Sequence, residues 1–193
     1  MKVLLTGAAG FLGWHTRLRL DAQGEHDVRV ATRESWGDLD ALVAEADAII
    51  HVAGVNRGDD VEAGNVRLAH DVVNAVSAAS RPVRVVYANS IQSGNGTAYG
   101  TGKERAGTVL RGLEESGSVV VDVRLPNIFG EHGRPGYNSF VATFVHAVAS
   151  GDSPHVTDRQ VDLLHAQGAA QSLIDGLTTD ERRLDPAGQP VGV

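Results

Sequence analysis

The 193-residue chain holds two lysines, Lys2 and Lys103, and the second stands four residues after Tyr99. On a helix, that spacing puts a phenol and an ammonium on one face, within reach of each other. A neighbouring cation depresses the pKa of a phenol, which makes it a usable proton donor or acceptor near neutral pH. Upstream lies Ser90, a hydroxyl able to polarise a carbonyl oxygen. Near the N-terminus runs a glycine loop, Gly7-Ala8-Ala9-Gly10-Phe11-Leu12-Gly13. Proton transfer beside an anion-binding loop is the chemistry these residue types suggest.

The elements around the loop sharpen that reading. Lys2 to Thr6 reads as a buried strand and Phe11 to Ala22 as a helix, with Gly24 as its stop. A glycine loop joining strand to helix is the context that the dinucleotide-binding fingerprint requires. Gly7 permits the tight turn, Gly10 lets the backbone approach a pyrophosphate, and Gly13 allows the helix to pack on the strand. The helix N-terminus offers free amides to the phosphates. The fingerprint also expects an acidic residue about 20 positions on, to hold the ribose hydroxyl of NAD. Asp27 has nearly that spacing but precedes the second strand, at the wrong end. At the correct end stand Thr32 and Arg33. A guanidinium there suits a 2′-phosphate, so NADP(H) is preferred and NAD remains possible; Arg33 stacked on adenine would discriminate little. Beside such a cofactor, Tyr99 and Lys103 are equipment for moving a hydride and a proton together.

Further strands are expected at Val28 to Ala31, Ala48 to Val52, Val83 to Ala88 and Val119 to Leu125. Helices are expected at Leu39 to Ala46, Val61 to Ala79, Tyr99 to Glu115 and Phe140 to Ala149. In the 61–79 segment Val66, Ala69, Val72, Val73, Val76 and Ala79 recur at helical spacing. Gly100, Gly102, Gly107 and Gly112 should each loosen the 99–115 helix by about 1 kcal/mol relative to Ala. Beyond Gly151 the pattern weakens. Strand and helix alternate, and short apolar strands imply a parallel sheet covered on both faces. The fold class is therefore α/β, a Rossmann-type doubly wound parallel sheet. The expected division is a dinucleotide-binding domain over 1–130 and a small, truncated substrate extension over 131–193.

Composition excludes several classes. A net charge of −7 argues against nucleic acid or an anionic membrane as partner. There is no cysteine, which removes disulfides and thiol catalysis. The apolar N-terminal run Val3-Leu4-Leu5 is too short for a signal peptide, so a cytoplasmic location is expected. His146, His155 and His165 are scattered without metal-ligand spacing, and no metal is expected.

Taken together, the motifs resemble the extended short-chain dehydrogenases/reductases of the NAD-dependent epimerase/dehydratase family. The carrying residues are Thr6 to Gly13, His51-Val52-Ala53-Gly54, Gly64-Asn65, Asn89-Ser90, Tyr99 to Lys103 and Arg124 to Gly130. More narrowly, the stretches from Ala53 to Arg57, Ser90 to Gln92 and Arg134 to Phe144 resemble the reductase domain of capsular-polysaccharide enzymes that reduce a 4-keto UDP-2-acetamido-dideoxy sugar. The resemblance implies Tyr99 as general acid, Lys103 as the group that lowers its pKa and holds the nicotinamide ribose, and Ser90 as a hydrogen-bond donor to the substrate carbonyl. It implies that Phe11, Leu12, Val52, Ala53, Gly54 and Pro126 line the cofactor groove. Asn65 would tie its helix to the central strands, and Asn127 would face substrate.

Reduction is favoured over related reactions. The dehydratases of this family place an Asp-Glu pair after the serine or threonine, where this chain has Ile91-Gln92. An epimerase is the alternative activity, and a non-catalytic dinucleotide-sensing module is the alternative from another class. The expected substrate is a nucleotide sugar or related small ketone. Arg134 would serve as a phosphate fork, and Tyr137 and Asn138 as stacking and hydrogen-bonding groups; a polar surface loop is the competing account. A homodimer through the 61–79 and 99–115 helices is a family-based expectation.

Overall fold

The computed structural model describes residues 1–192. Elements run β1 (Lys2–Thr6), α1 (Phe11–Gln23), β2 (Asp27–Ala31), α2 (Leu39–Ala44), β3 (Ala48–His51), α3 (Val61–Ala78), β4 (Arg84–Ser90) and α4 (Ala98–Arg111). Then follow β5 (Val120–Leu125), β6 (Asn127–Phe129), α5 (Phe140–Ala149), β7 (Gln160–His165), α6 (Ala166–Asp175), β8 (Arg183–Leu184) and β9 (Gln189–Gly192). Six strands form one sheet in the order β2-β1-β3-β4-β5-β8, all parallel. The order reverses between β1 and β3, so a crevice opens at the carboxyl ends of those two strands, where such sheets bind ligands.

Both faces of the sheet are covered, which is why the central strands are mostly apolar. On one face Leu4, Ile49, Val85, Tyr87 and Val120 pack against α2, α3 and α4. On the other, Val3, Leu5, Ile50, Val86, Val121 and Val123 meet Leu20 of α1 and Ala169, Leu173 and Ile174 of α6. Each fully buried side chain of this size contributes about 1.5–3 kcal/mol. Helix α1 stops at Gly24, whose φ of 67° is left-handed and whose amide reaches Leu20 O at 3.1 Å. Helix α4 starts at a Thr97 cap that accepts from Gly100 N at 3.0 Å. It ends at Arg111, earlier than the expected Glu115, because Gly112–Ser116 tightens into a 3-10 turn closed by Gly117 at φ 86°.

Helix α6 packs against α1, and β8 pairs with β5, so residues 166–184 return to the large sheet. A second, three-stranded sheet holds β6, β7 and β9, with β6 parallel and β9 antiparallel to β7. Its strands begin directly after Pro126 and set the loop of residues 130–139 beside the crevice.

Candidate active site

The glycine loop shows why each glycine is needed. Gly7 has φ 73°, and a Cβ there would lie 2.6 Å from Ala53 N. A Cβ on Gly13 would lie 2.0 Å from Gly7 O, so α1 could not sit so close to β1 with any other residue. Gly10 donates to Gly7 O at 2.9 Å and caps α1 without a side chain. Phe11 and Leu12 turn their side chains away, Phe11 edge-on to His15 and Leu12 into the core. What they offer the loop is backbone amide, and with no side-chain cap these first-turn donors are open to an anion. The fit to a dinucleotide pyrophosphate is good.

The far wall of the crevice is Val52-Ala53-Gly54. Thr6 Oγ1 accepts from Ala53 N at 3.2 Å and meets His51 Nδ1 at 2.9 Å, so a single hydroxyl locks β1 to β3 at the loop. Burial first, then the nearby Lys103 charge, hold His51 neutral with its pKa pushed down to about 3. It is a core histidine stacked on Tyr87, at 5.8 Å between rings. Asn65 donates to the Val55 and Val61 carbonyls, both at 2.7 Å, and fastens the loop after β3 to α3.

Asp27 opens β2 opposite Lys2, far from the loop. Thr32 is engaged with Ser35, which accepts from its amide at 2.9 Å. Arg33 is exposed and has no ion-pair or hydrogen-bond partner among the described residues.

Lys103 is buried, 5% exposed, and donates to Ala88 O at 2.7 Å. Its Nζ lies 4.8 Å from the centre of the Tyr87 ring and 6.0 Å from that of Tyr99. A Cβ on Gly54 would lie 3.7 Å from this Nζ. The ammonium therefore borders the groove wall that touches Gly7. Burial lowers the Lys103 pKa to about 8, and Asp122 opposes the shift. Tyr99 is half-buried, and burial raises its phenol above the ordinary value, with Ser90 pulling back down. The depression expected from Lys103 is absent from this arrangement: the ammonium lies over the ring face and points at a carbonyl. Ser90 is buried at the end of β4; its Oγ accepts from Gln92 N at 3.2 Å, and its hydroxyl faces the Tyr99 phenol.

Pro126 is buried, between the end of β5 and the start of β6. Asn127 spends an amide proton on Asp162 O at 3.4 Å and so ties β6 to β7. Arg134, Tyr137 and Asn138 come together with Arg57, which the sequence reading did not place in the site. Arg57 donates from Nε to Asn138 Oδ1 and from Nη1 to Gly136 O, both at 3.0 Å. The Arg57 and Arg134 guanidinia lie 5.2 and 5.4 Å from the Tyr137 ring centre. The signal was available in the stretch from Ala53 to Arg57, but nothing local says that its guanidinium reaches a loop eighty residues on. His15 makes a second tie: Nε2 donates to Glu131 O at 2.9 Å, and Nδ1 meets Gln167 Nε2 at 3.0 Å. The loop that leaves β6 is thus fastened to α1.

With this geometry, comparison with known proteins is decisive for the family. The model of the NAD dependent epimerase/dehydratase family matches residues 3–182. The chain belongs to that family. Over 153 residues it is 42% identical to the UDP-2-acetamido-2,6-beta-L-arabino-hexul-4-ose reductase of Pseudomonas aeruginosa, covering 77% of this chain and 41% of that protein. The structure of the capsular polysaccharide assembling protein CapF from Staphylococcus aureus superposes with a TM-score of 0.83 at 27% identity, over 100% of this chain and 55% of CapF. The UDP-glucuronic acid 4-epimerase of Bacillus cereus superposes at 0.85 with 14% identity, over 100% of this chain and 79% of that one, and shares the fold. The chain spans about half the length of CapF and 41% of the curated reductase. No helix of the described residues is long and apolar enough to cross a membrane.

Proposed function

We propose that this chain carries the dinucleotide-binding and carbonyl-reducing half of an NADPH-dependent reductase acting on a keto group of a nucleotide-activated sugar. One observation carries the reading: Gly54 borders both Asn65 and the Lys103 ammonium, while its neighbour Ala53 touches Gly7. The groove wall therefore runs from the glycine loop to the Tyr99–Lys103 pair without interruption. The 42% identity to a protein named as a UDP-sugar ketoreductase, and the likeness to CapF, support the substrate class.

A bound nicotinamide would supply the hydride to the carbonyl carbon. The roles of the chain's own residues follow. Ser90 Oγ donates a hydrogen bond to the carbonyl oxygen and fixes its position. Tyr99 gives its phenolic proton to that oxygen as charge develops, which completes the hydroxyl, and regains a proton from solvent. Lys103 holds a positive charge beside the forming phenolate. Gly7, Gly10, Phe11, Leu12 and Gly13 hold the pyrophosphate by backbone; Val52, Ala53, Gly54 and Pro126 wall the groove. Thr32 shapes the adenosine end and Arg33 meets the 2′-phosphate. Asn127, Arg134, Tyr137 and Asn138, joined by Arg57, hold the nucleotide diphosphate and sugar. Residues 1–130 with 166–184 form the cofactor unit and the remainder the substrate side. A homodimer through α3 and α4 belongs to the same reading, and sedimentation checks it.

Loss of nicotinamide absorbance on mixing the protein with NADPH and a 4-keto UDP sugar is the expected result. Tyr99→Phe should lower kcat at least 100-fold, on the order expected for a lost general acid, while leaving NADPH affinity in place. Full activity in that variant sinks the mechanism. Arg33→Ala should weaken NADPH binding about tenfold or more and leave NADH binding unchanged; equal losses for both remove the NADP preference. Interconversion of sugar epimers without net cofactor consumption would establish the epimerase instead. Cofactor binding with no carbonyl turnover would establish a sensing module.

A further inference from the structure

Asp122 is out of place by every packing criterion. It interrupts a strand that otherwise reads Val119, Val120, Val121 and Val123, and it is 6% exposed. Its Oδ1 is buried with no hydrogen-bond partner. Its Oδ2 meets guanidinium groups only at the limit of contact, Arg124 Nε at 3.5 Å and Arg111 Nη1 at 3.9 Å. A buried carboxylate so poorly satisfied destabilises a fold, and an apolar residue of similar volume often does better. Its place in the fold supplies a reason to keep it. Register sets Asp122 opposite Tyr87, on the sheet face covered by α4. Lys103 Nζ lies over that same Tyr87 ring at 4.8 Å, and Tyr87 Oη reaches Lys103 O at 3.5 Å. Among the described residues Asp122 is the one buried carboxylate and Lys103 the one buried ammonium. Tyr87 neighbours both, Asp122 by strand register and Lys103 through its ring.

We propose that Asp122 is a positioning residue for the Tyr99–Lys103 pair: its carboxylate is the buried counter-charge that, acting across Tyr87, holds the Lys103 ammonium charged beneath the groove. Lys103 is faced by His51 from β3, Tyr87 from β4, Tyr99 from its own helix and Asp122 from β5. His51 is neutral, so Asp122 is the one anion in that set. Asp122 in turn is faced by Arg111 of α4, Arg124 of its own strand and Arg183 of β8. Arg111 is open to water and Arg124 partly so, at 45% and 28% side-chain exposure, so solvent screens much of their charge. Burial alone drives the ammonium toward neutrality, and Asp122 works against it.

The consequence for catalysis rests on the reductase reading; the charge state of Lys103 does not. With two lysines in the chain, selective 13C,15N labelling yields two side-chain signals, and Lys2→Arg assigns them. Asp122→Asn should lower the Lys103 titration midpoint from about 8 by about one pH unit, with Lys2 unmoved. The basic limb of the kcat profile should move down by the same amount. Asp122→Val, which restores the valine pattern of the strand and folds without a buried charge, should give the same shift. A Lys103 midpoint that stays put in either folded variant overturns the proposal, as does activity lost equally at every pH with that midpoint unchanged. Absence of turnover in the parent chain would overturn the reductase reading and leave the titration arm to stand or fall by itself.

Discussion

Lys103 pays a thermodynamic penalty for its position. Its pKa is about 8 in the folded chain against an ordinary 10.5, so between those values the unfolded chain binds more protons than the folded one. Stability should therefore rise as pH goes from 8 to 10.5, and below 8 the fold carries a charge that burial disfavours. Lys103→Met removes the charge and keeps the volume, at the cost of the donor to Ala88 O. Urea unfolding at pH 7 should show a gain of about 1 kcal/mol, with the alkaline rise in stability abolished. A variant less stable than the parent at pH 7 would mean that the Ala88 hydrogen bond outweighs desolvation.

Helix α4 resolves an oddity of composition. The three glycines inside it and Gly112 just past its end look like a defect, yet two of the four are contact points. A Cβ on Gly100 would fall 2.1 Å from Asn95 Oδ1 and 2.3 Å from Gln92 O, so this glycine seats the loop that follows Ser90. On Gly102 it would lie 3.0 Å from Glu62 Cα, where α3 and α4 cross closely. Gly107 has ordinary contact distances, and Gly112 faces open space with helical backbone angles. Gly112→Ala should therefore raise stability by about 1 kcal/mol. Gly100→Ala should lower it by about 2 kcal/mol through overpacking and reduce kcat by shifting the Ser90 loop. Thermal unfolding of the two variants separates these accounts; stabilisation by both would show that the loop yields freely.

For the molecule as a whole, acid is the expected weak point. His51 sits between β1 and β4, with a pKa of about 3 in the fold against an ordinary 6.5. Below 6.5 the unfolded chain takes up a proton that the folded chain refuses, so stability falls as pH drops from 6.5 toward 3. The slope in that window should approach about 1.4 kcal/mol per pH unit, one proton's worth. His51→Asn should flatten it, as read by urea midpoints between pH 7 and 4. An unchanged slope would place the acid sensitivity elsewhere, among the carboxylates of a chain with net charge −7.

The sequence by itself determined the strand–helix alternation through β5, the glycine loop and the helix carrying Tyr99 and Lys103. All of these are written in local signals: turn residues, caps and short-range periodicity. It did not disclose α6, because that helix is buried through small residues, Ala166, Ala169 and Ala170, whose apolar signal is faint. Nor did it disclose β8, whose two residues form a strand only because β5 offers an unpaired edge. Tertiary structure alone decided which distant polar groups meet: Arg57 with Asn138, His15 with Glu131, and Tyr87 with both Asp122 across the strands and Lys103 over its ring. Such meetings depend on strand register and helix packing, which sum many weak contacts along the whole chain and leave no trace in any short window. The direction of the Tyr99 shift came from the same source, since burial is a property of the assembled fold.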